Sequence, residues 1–171
     1  MTVVRMGSGF DVHPFRAGDG TEPGDGQRTL RLAGVEIAEG PPLDGHSDAD
    51  VAVHAVCDAL LGALALGDLG SRFGTDEPAT AGADSVQLLR SVVEDVTAAG
   101  WRLGNLDVTI IAQQPRLSGY RDAMRQALAE ACDASLDDVS VKFTTTDGLG
   151  FVGRVEGIAA MATCVVAALH R

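Results

Sequence analysis

Residues 46–70 constrain this chain more than any other stretch: His-Ser-Asp-Ala-Asp-Val-Ala-Val-His-Ala-Val-Cys-Asp-Ala-Leu-Leu-Gly-Ala-Leu-Ala-Leu-Gly-Asp-Leu-Gly. Val51, Ala55, Leu61 and Leu64 fall near one face at helical spacing, and Val53, Cys57 and Leu60 overlap it. The spacing predicts a helix buried on most of its sides. Ser47 and Asp48 are expected to cap its start, because short side-chain oxygens accept from the first free backbone N–H groups. Asp50, His54 and Asp58 recur every four residues and so share one stripe. A buried helix rarely spends three ionisable groups on one stripe unless something charged lies against it.

The partners for that stripe come from the first strand. Residues 3–13 alternate, and Asp11 and His13, two apart, point to the same face of a strand. A carboxylate and an imidazole on one face make half of a metal site, and one more histidine makes an O,N,N donor set for Zn²⁺ with a fourth position open to substrate. Two histidines compete for that place. His46 sits on a loop ahead of the helix. His54 sits within it, rigidly placed, with Asp50 or Asp58 available to hold its second nitrogen. Rigidity favours His54, leaving His46 and Ser47 to hold a substrate oxygen. The alternative is a pair of ordinary cap and core histidines.

Downstream, residues 107–113 are β-branched and nearly continuous, which predicts a central strand, and residues 139–145 predict another. Helices are expected from Asp84 to about Gly100, over 119–131 and over 155–169, and a small hairpin over 29–38 turning at Ala33-Gly34. The second strand of that group ends in Thr144-Thr145-Thr146-Asp147-Gly148, whose hydroxyls and glycine-freed backbone suit phosphate oxygens. Asp147 can bring a second, hard cation such as Mg²⁺ to those phosphates. The expected architecture is α/β, an α+β sandwich with a single mixed β-sheet covered by helices.

Composition sets the outer bounds. The 171 residues suit one domain, spanning 1–171, and 46% hydrophobic content excludes a disordered chain. A formal charge of −11 argues against nucleic acid or an anionic membrane as partner. An anionic small substrate stays open, because a bound cation reverses the local field. Cys57, Cys132 and Cys164 show no paired spacing and read as buried thiols in a reducing cytosol. The longest apolar run, 158–169, is too short for a bilayer, so a cytoplasmic location is expected. Gly7-Ser-Gly9 lacks the third glycine of a dinucleotide fingerprint, and there is no Walker loop. Residues 16–28, rich in Gly, Asp and Pro, are expected to form a flexible surface loop.

Five stretches taken together carry a resemblance. They are Gly7-Ser-Gly-Phe-Asp11-Val-His13, the run from His46 through Gly62-Ala, Gly67-Asp-Leu-Gly70, Asp107-Val-Thr-Ile-Ile-Ala-Gln113, and Lys142-Phe-Thr-Thr-Thr-Asp-Gly-Leu-Gly-Phe151-Val-Gly-Arg154-Val-Glu-Gly-Ile158-Ala. In this order they resemble the 2-C-methyl-D-erythritol 2,4-cyclodiphosphate synthase family of the non-mevalonate isoprenoid route, over about residues 5–169. The resemblance implies a subunit of a homotrimer with active sites between subunits, a CDP-linked substrate, and release of CMP. It implies Zn²⁺ held by Asp11, His13 and His54, and Mg²⁺ or Mn²⁺ at Asp147. It implies that His46 and Thr145 support the transition state. Substrate contacts are implied for Ser47, Asp68, Leu69, Gly70 and Phe73, and for Asp76 or Glu77. Ala112, Gln113, Gln114, Pro115, Arg116, Leu117 and Ser118, with Thr144, Thr146 and Asp147, match the cytidine and diphosphate pocket. Phe10, Phe151, Arg154 and Glu156 match the surround of a threefold cavity that can hold an isoprenoid diphosphate; an Arg154–Glu156 pair bracing the trimer explains the same residues. Arg116 stands where the family commonly has Lys, and Asp147 where it commonly has Glu. Residues 73–78 depart from the usual pattern there.

Overall fold

The computed structural model describes residues 3–16, 29–45, 47–74 and 83–169. The loop expected at 16–28 lies, apart from Arg16, outside the described residues, as do His46, Asp76 and Glu77.

Strands β1 (Val4–Pro14), β4 (Trp101–Ile111), β5 (Val139–Thr144) and β6 (Gly157–Ala168) form one mixed sheet in the order β1-β6-β4-β5. The β4–β5 pair is parallel and the other two pairs are antiparallel. Strands β2 (Leu30–Leu32) and β3 (Val35–Ile37) make a separate hairpin. It turns at Ala33 and Gly34 with φ of 52° and 79°. Two successive left-handed residues are what a tight hairpin turn requires.

Helices α1 (Val51–Ala63), α3 (Ser85–Ala98) and α4 (Arg121–Ala131) pack on one face of the sheet. Short helices α2 (Leu69–Phe73) and α5 (Gly150–Gly153) sit at loop ends. The expected α/β class holds: a mixed sheet flanked by helices. The covering is one-sided, because Met6, Phe10, Val12 and Met161 on the other face remain 40–72% exposed.

Across the inner face the residues in register are Gly7, Cys164, Leu106 and Val139, then Gly9, Ala162, Val108 and Val141. Side chains are smallest under α1 and larger toward β5. A Cβ added at Gly9 would lie 2.0 Å from the Ala55 carbonyl oxygen, and one at Gly7 1.9 Å from that of Ala59. The two glycines thus let α1 rest its backbone on β1, which sets the distance between Asp11 and His54.

Two expectations need correcting. The segment expected as a helix over 155–169 is strand β6, bonded on both edges. A central strand is apolar on both faces, so periodicity cannot separate it from a buried helix. Its alanines, favourable in helices, are here because α1 lies close above them. The start of α1 also differs. Asp50 is its N-cap, and Ser47 and Asp48 are not. The Asp50 carboxylate accepts from the backbone N–H of Ala52 and Val53 (3.2 and 3.1 Å) and of Ala33 and Gly34 (2.8 and 2.7 Å). One buried carboxylate therefore closes the helix end and pins the hairpin turn to it. Other boundaries fall close to expectation, including the Asp84 cap of α3, though β4 begins at Trp101, well before residue 107.

Candidate metal centre

β1 presents Asp11 and His13 on the face that meets α1, and α1 presents His54 toward them. Asp11 Oδ2 lies 2.9 Å from His54 Nδ1 and 3.1 Å from His13 Nε2, and the two nitrogens are 3.3 Å apart. Tetrahedral zinc with ligand bonds of roughly 2.0–2.2 Å needs donor atoms about 3.3–3.6 Å from one another. One oxygen and two nitrogens at 2.9–3.3 Å need to part by only a few tenths of an ångström to meet that requirement, and among the described residues they are the one such cluster of three.

Each histidine is held from behind. His13 makes a hydrogen bond with the Asp44 backbone. Behind His54 Nε2 lie Ser85 Oγ at 2.9 Å and Ser47 Oγ at 3.0 Å. Burial pushes the Asp11 carboxyl up, but hydrogen bonds and charge from His13 and His54 outweigh it and hold the group well below the usual carboxylate range. Burial lowers the His13 pKa, and the adjacent Asp11 carboxylate more than reverses this, leaving it raised.

The expected support of His54 by Asp50 or Asp58 is not what the structure has. Asp50 is consumed by four backbone donors at the helix start. Asp58 accepts from the Leu69 backbone N–H at 2.8 Å and so anchors α2. Residues four apart lie one turn along the helix axis, and each carboxylate found a nearer backbone donor. Ser85, which does back His54, is fully buried at the start of α3. No local sequence signal marks it, because its role depends on α3 meeting α1.

A cleft of about 290 Å³ opens at the triad. It is lined by Asp11, His13, Ser47, His54, Asp58, Leu69, Gly70 and Phe73 from the expected set, with Gly74 and Leu88 added. Asp68, expected at the substrate, caps α2 by accepting from Ser71 N–H at 2.7 Å. A second cleft of about 630 Å³ is lined by Ala112, Gln113, Gln114, Pro115, Arg116, Leu117 and Ser118 with Thr144 and Thr145. Arg121 and Phe143, not foreseen, complete it, and the Arg121 guanidinium lies 5.4 Å from the Phe143 ring centroid. Beside this cleft, Thr145 Oγ1 donates to Asp147 (3.1 Å), and Gly148 N–H donates to Gln113 Oε1 (3.2 Å). Phe151 and Arg154 line neither cleft; Arg154 pairs with Glu156 through two hydrogen bonds, 2.8 and 3.0 Å.

A mixed sheet with helices on one face, carrying an O,N,N donor set at the mouth of a cleft, defines an α/β protein with a candidate metal centre of the open, catalytic type. The chain belongs to the YgbB family, whose sequence pattern matches residues 4–167. It is 48% identical over 163 residues to the 2-C-methyl-D-erythritol 2,4-cyclodiphosphate synthase of Pseudomonas savastanoi pv. phaseolicola, covering 95% of this chain and 98% of that one. Among solved structures, it is similar to the bifunctional IspDF from Campylobacter jejuni (TM-score 0.89, 36% identity), covering 99% of this chain and 43% of that longer one. It is also similar to the CDP complex of IspF from Plasmodium falciparum (TM-score 0.81, 28% identity), covering 98% of this chain and 97% of that one.

Proposed function

We propose that this chain converts 4-diphosphocytidyl-2-C-methyl-D-erythritol 2-phosphate to 2-C-methyl-D-erythritol 2,4-cyclodiphosphate and CMP. A 2-phosphate oxygen bonds to the β-phosphorus while the bond from that phosphorus to the bridging oxygen breaks, and the bridging oxygen leaves with CMP. The single observation that carries this reading is the convergence of Asp11, His13 and His54 at an open cleft, in a chain nearly half identical over its length to a synthase of that name.

The nucleophile is already an anion, so no strong general base is needed. The barrier is repulsion between phosphates and the entropy of closing a ring, and positioning and charge neutralisation lower both. Asp11, His13 and His54 would hold zinc, and Asp147 a Mg²⁺ or Mn²⁺ ion; bound there, these cations supply Lewis-acid polarisation and charge neutralisation at the phosphates. Ser47 and Asp68–Gly70 are read as facing the methylerythritol unit, with Phe73 alongside. Ala112–Ser118, including Arg116, and Thr144–Asp147 are read as holding the cytidine and diphosphate. Thr145, with His46, is read as donating to transition-state oxygens.

The proposal includes a homotrimer whose sites lie between subunits, in the cytoplasm. Its support is that the metal cleft and the cleft at Ala112–Ser118 share no lining residue, while an apolar sheet face is uncovered in the single chain. Around the threefold axis, Phe151 and Arg154 are read as bordering a cavity able to take an isoprenoid diphosphate.

Phosphorus NMR of the products, run with and without a chelator, tests the reaction. A cyclic diphosphate with CMP, lost on chelation and in His54→Ala, is expected. Inorganic phosphate as product would refute cyclisation and make the protein a metal-dependent phosphohydrolase.

A further inference from the structure

Behind His54 the structure holds a polar chain that the metal reading does not itself account for. Ser85 Oγ donates to Asp48 Oδ1, and the Ser85 backbone N–H donates to Asp48 Oδ2 at 3.2 Å. Arg31 lies 3.7 Å from the same carboxylate. On the other side Ser85 Oγ is 2.9 Å from His54 Nε2. Ser85 is fully buried and Asp48 only 15% exposed in its side chain, so water does not replace these contacts.

Proton bookkeeping fixes the direction of this chain. An ionised carboxylate can only accept, so the single Ser85 hydroxyl proton points at Asp48. Ser85 Oγ then has only lone pairs to offer His54. A 2.9 Å contact is bonding only if the proton between the atoms belongs to Nε2. With a metal between Nδ1, Asp11 Oδ2 and His13 Nε2, Nδ1 would offer it a lone pair in place of its 2.9 Å contact to Asp11, and the ring would keep its one proton on Nε2, where Ser85 Oγ accepts it. Ser47 Oγ, 3.0 Å from Nε2, shares that proton. His13 turns Nε2 to the site and is held by the Asp44 backbone rather than by a side chain.

We propose that Asp48 and Ser85 are positioning residues for the metal site: the carboxylate acts through the serine to hold the His54 ring and its tautomer so that Nδ1 faces the metal. This rests on reading Asp11, His13 and His54 as metal ligands. The pattern is a carboxylate–histidine–metal arrangement with a serine interposed, and outer partners of that type typically account for about 10–100-fold in metal affinity.

Zinc affinity, measured by chelator competition on the purified chain, is the main readout. Ser85→Ala and Asp48→Asn are each expected to weaken it about 10–100-fold, and Ser85→Thr, which keeps the hydroxyl, to restore most of it. Asparagine cannot replace Asp48, because both carboxylate oxygens face donors and an amide has one acceptor. The second readout needs no variant: in the zinc-loaded wild type, the His54 Nε2 proton is expected to exchange with water slowly. Variant affinities within twofold of wild type, or a wild-type Nε2 proton exchanging at the rate of a solvent-exposed imidazole, would overturn the proposal while leaving the metal site standing. A wild type that takes no zinc overturns both.

Discussion

Replacing Gly9 by alanine tests whether the seat of α1 on β1 sets the metal geometry. The added Cβ would fall 2.0 Å from Ala55 O and 2.8 Å from Ala59 N, where ordinary contact begins at 3.4 Å. Both neighbours are helix backbone, so no side-chain rotation relieves the clash. The helix must retreat from the strand by roughly 1.4 Å, the difference between those distances. His54 is bonded to Ala55 in sequence and moves with it, carrying Nδ1 from 2.9 Å to about 4 Å from Asp11, beyond any shared tetrahedral centre. Overpacking of this kind costs about 1–3 kcal/mol, which for a chain of this length lowers the melting temperature by about 2–4 °C per kcal/mol. Zinc affinity should fall at least as far as for an outer-partner substitution, roughly 10–100-fold. Thermal unfolding of the metal-free chain and chelator competition read the two effects separately. Gly119→Ala, where an added Cβ meets nothing within 4 Å, is the control and should leave both unchanged. A Gly9→Ala chain that melts with wild type and keeps zinc as tightly would refute the claim that this glycine spaces the ligands.

Two further outcomes are expected. Asp50→Ala strands four backbone N–H groups at the junction of α1 and the hairpin; combining the usual cost of a lost cap with that of unsatisfied buried donors gives a loss of about 3 kcal/mol, measurable by urea unfolding. Cys57, Cys132 and Cys164 are buried, and burial pushes the Cys132 thiol up to about 12 and the Cys164 thiol to about 11, so a thiol reagent at neutral pH should react with none of them until the chain unfolds.

What the sequence made legible was local or short-period. The pairing of Asp11 with His13 follows from strand alternation, and β1 places both on one face. The choice of His54 followed from its rigid place in a helix, and it now lies within hydrogen-bonding distance of both. The hairpin turn at Ala33-Gly34 and the Asp84 cap were likewise signalled by neighbouring residues. Strand β6 was not, because its apolar run has no polar face from which to read a period; what makes it a strand is the pair of edges offered by β1 and β4.

The support of His54 shows the same limit at the scale of one side chain. Helical spacing places Asp50 and Asp58 a turn on either side of His54, and proximity along the helix made them the natural candidates. Spacing fixes where a side chain starts and says nothing of which donors compete for it. Asp50, at the helix end, faced N–H groups with no other acceptor, and a buried donor left unpaired costs about 1–3 kcal/mol. Those backbone groups therefore claimed the carboxylate before any side chain did. Asp58 went to Leu69 N–H and thereby holds α2 against the cleft. The ring was left to be steadied from across the fold, by Ser47 ahead of α1 and by Ser85 from α3, with Asp48 behind. The candidate metal site is consequently tied to two junctions of the tertiary structure, α1 on β1 and α1 on α3, so mutations that loosen either should lower metal affinity before they unfold the chain.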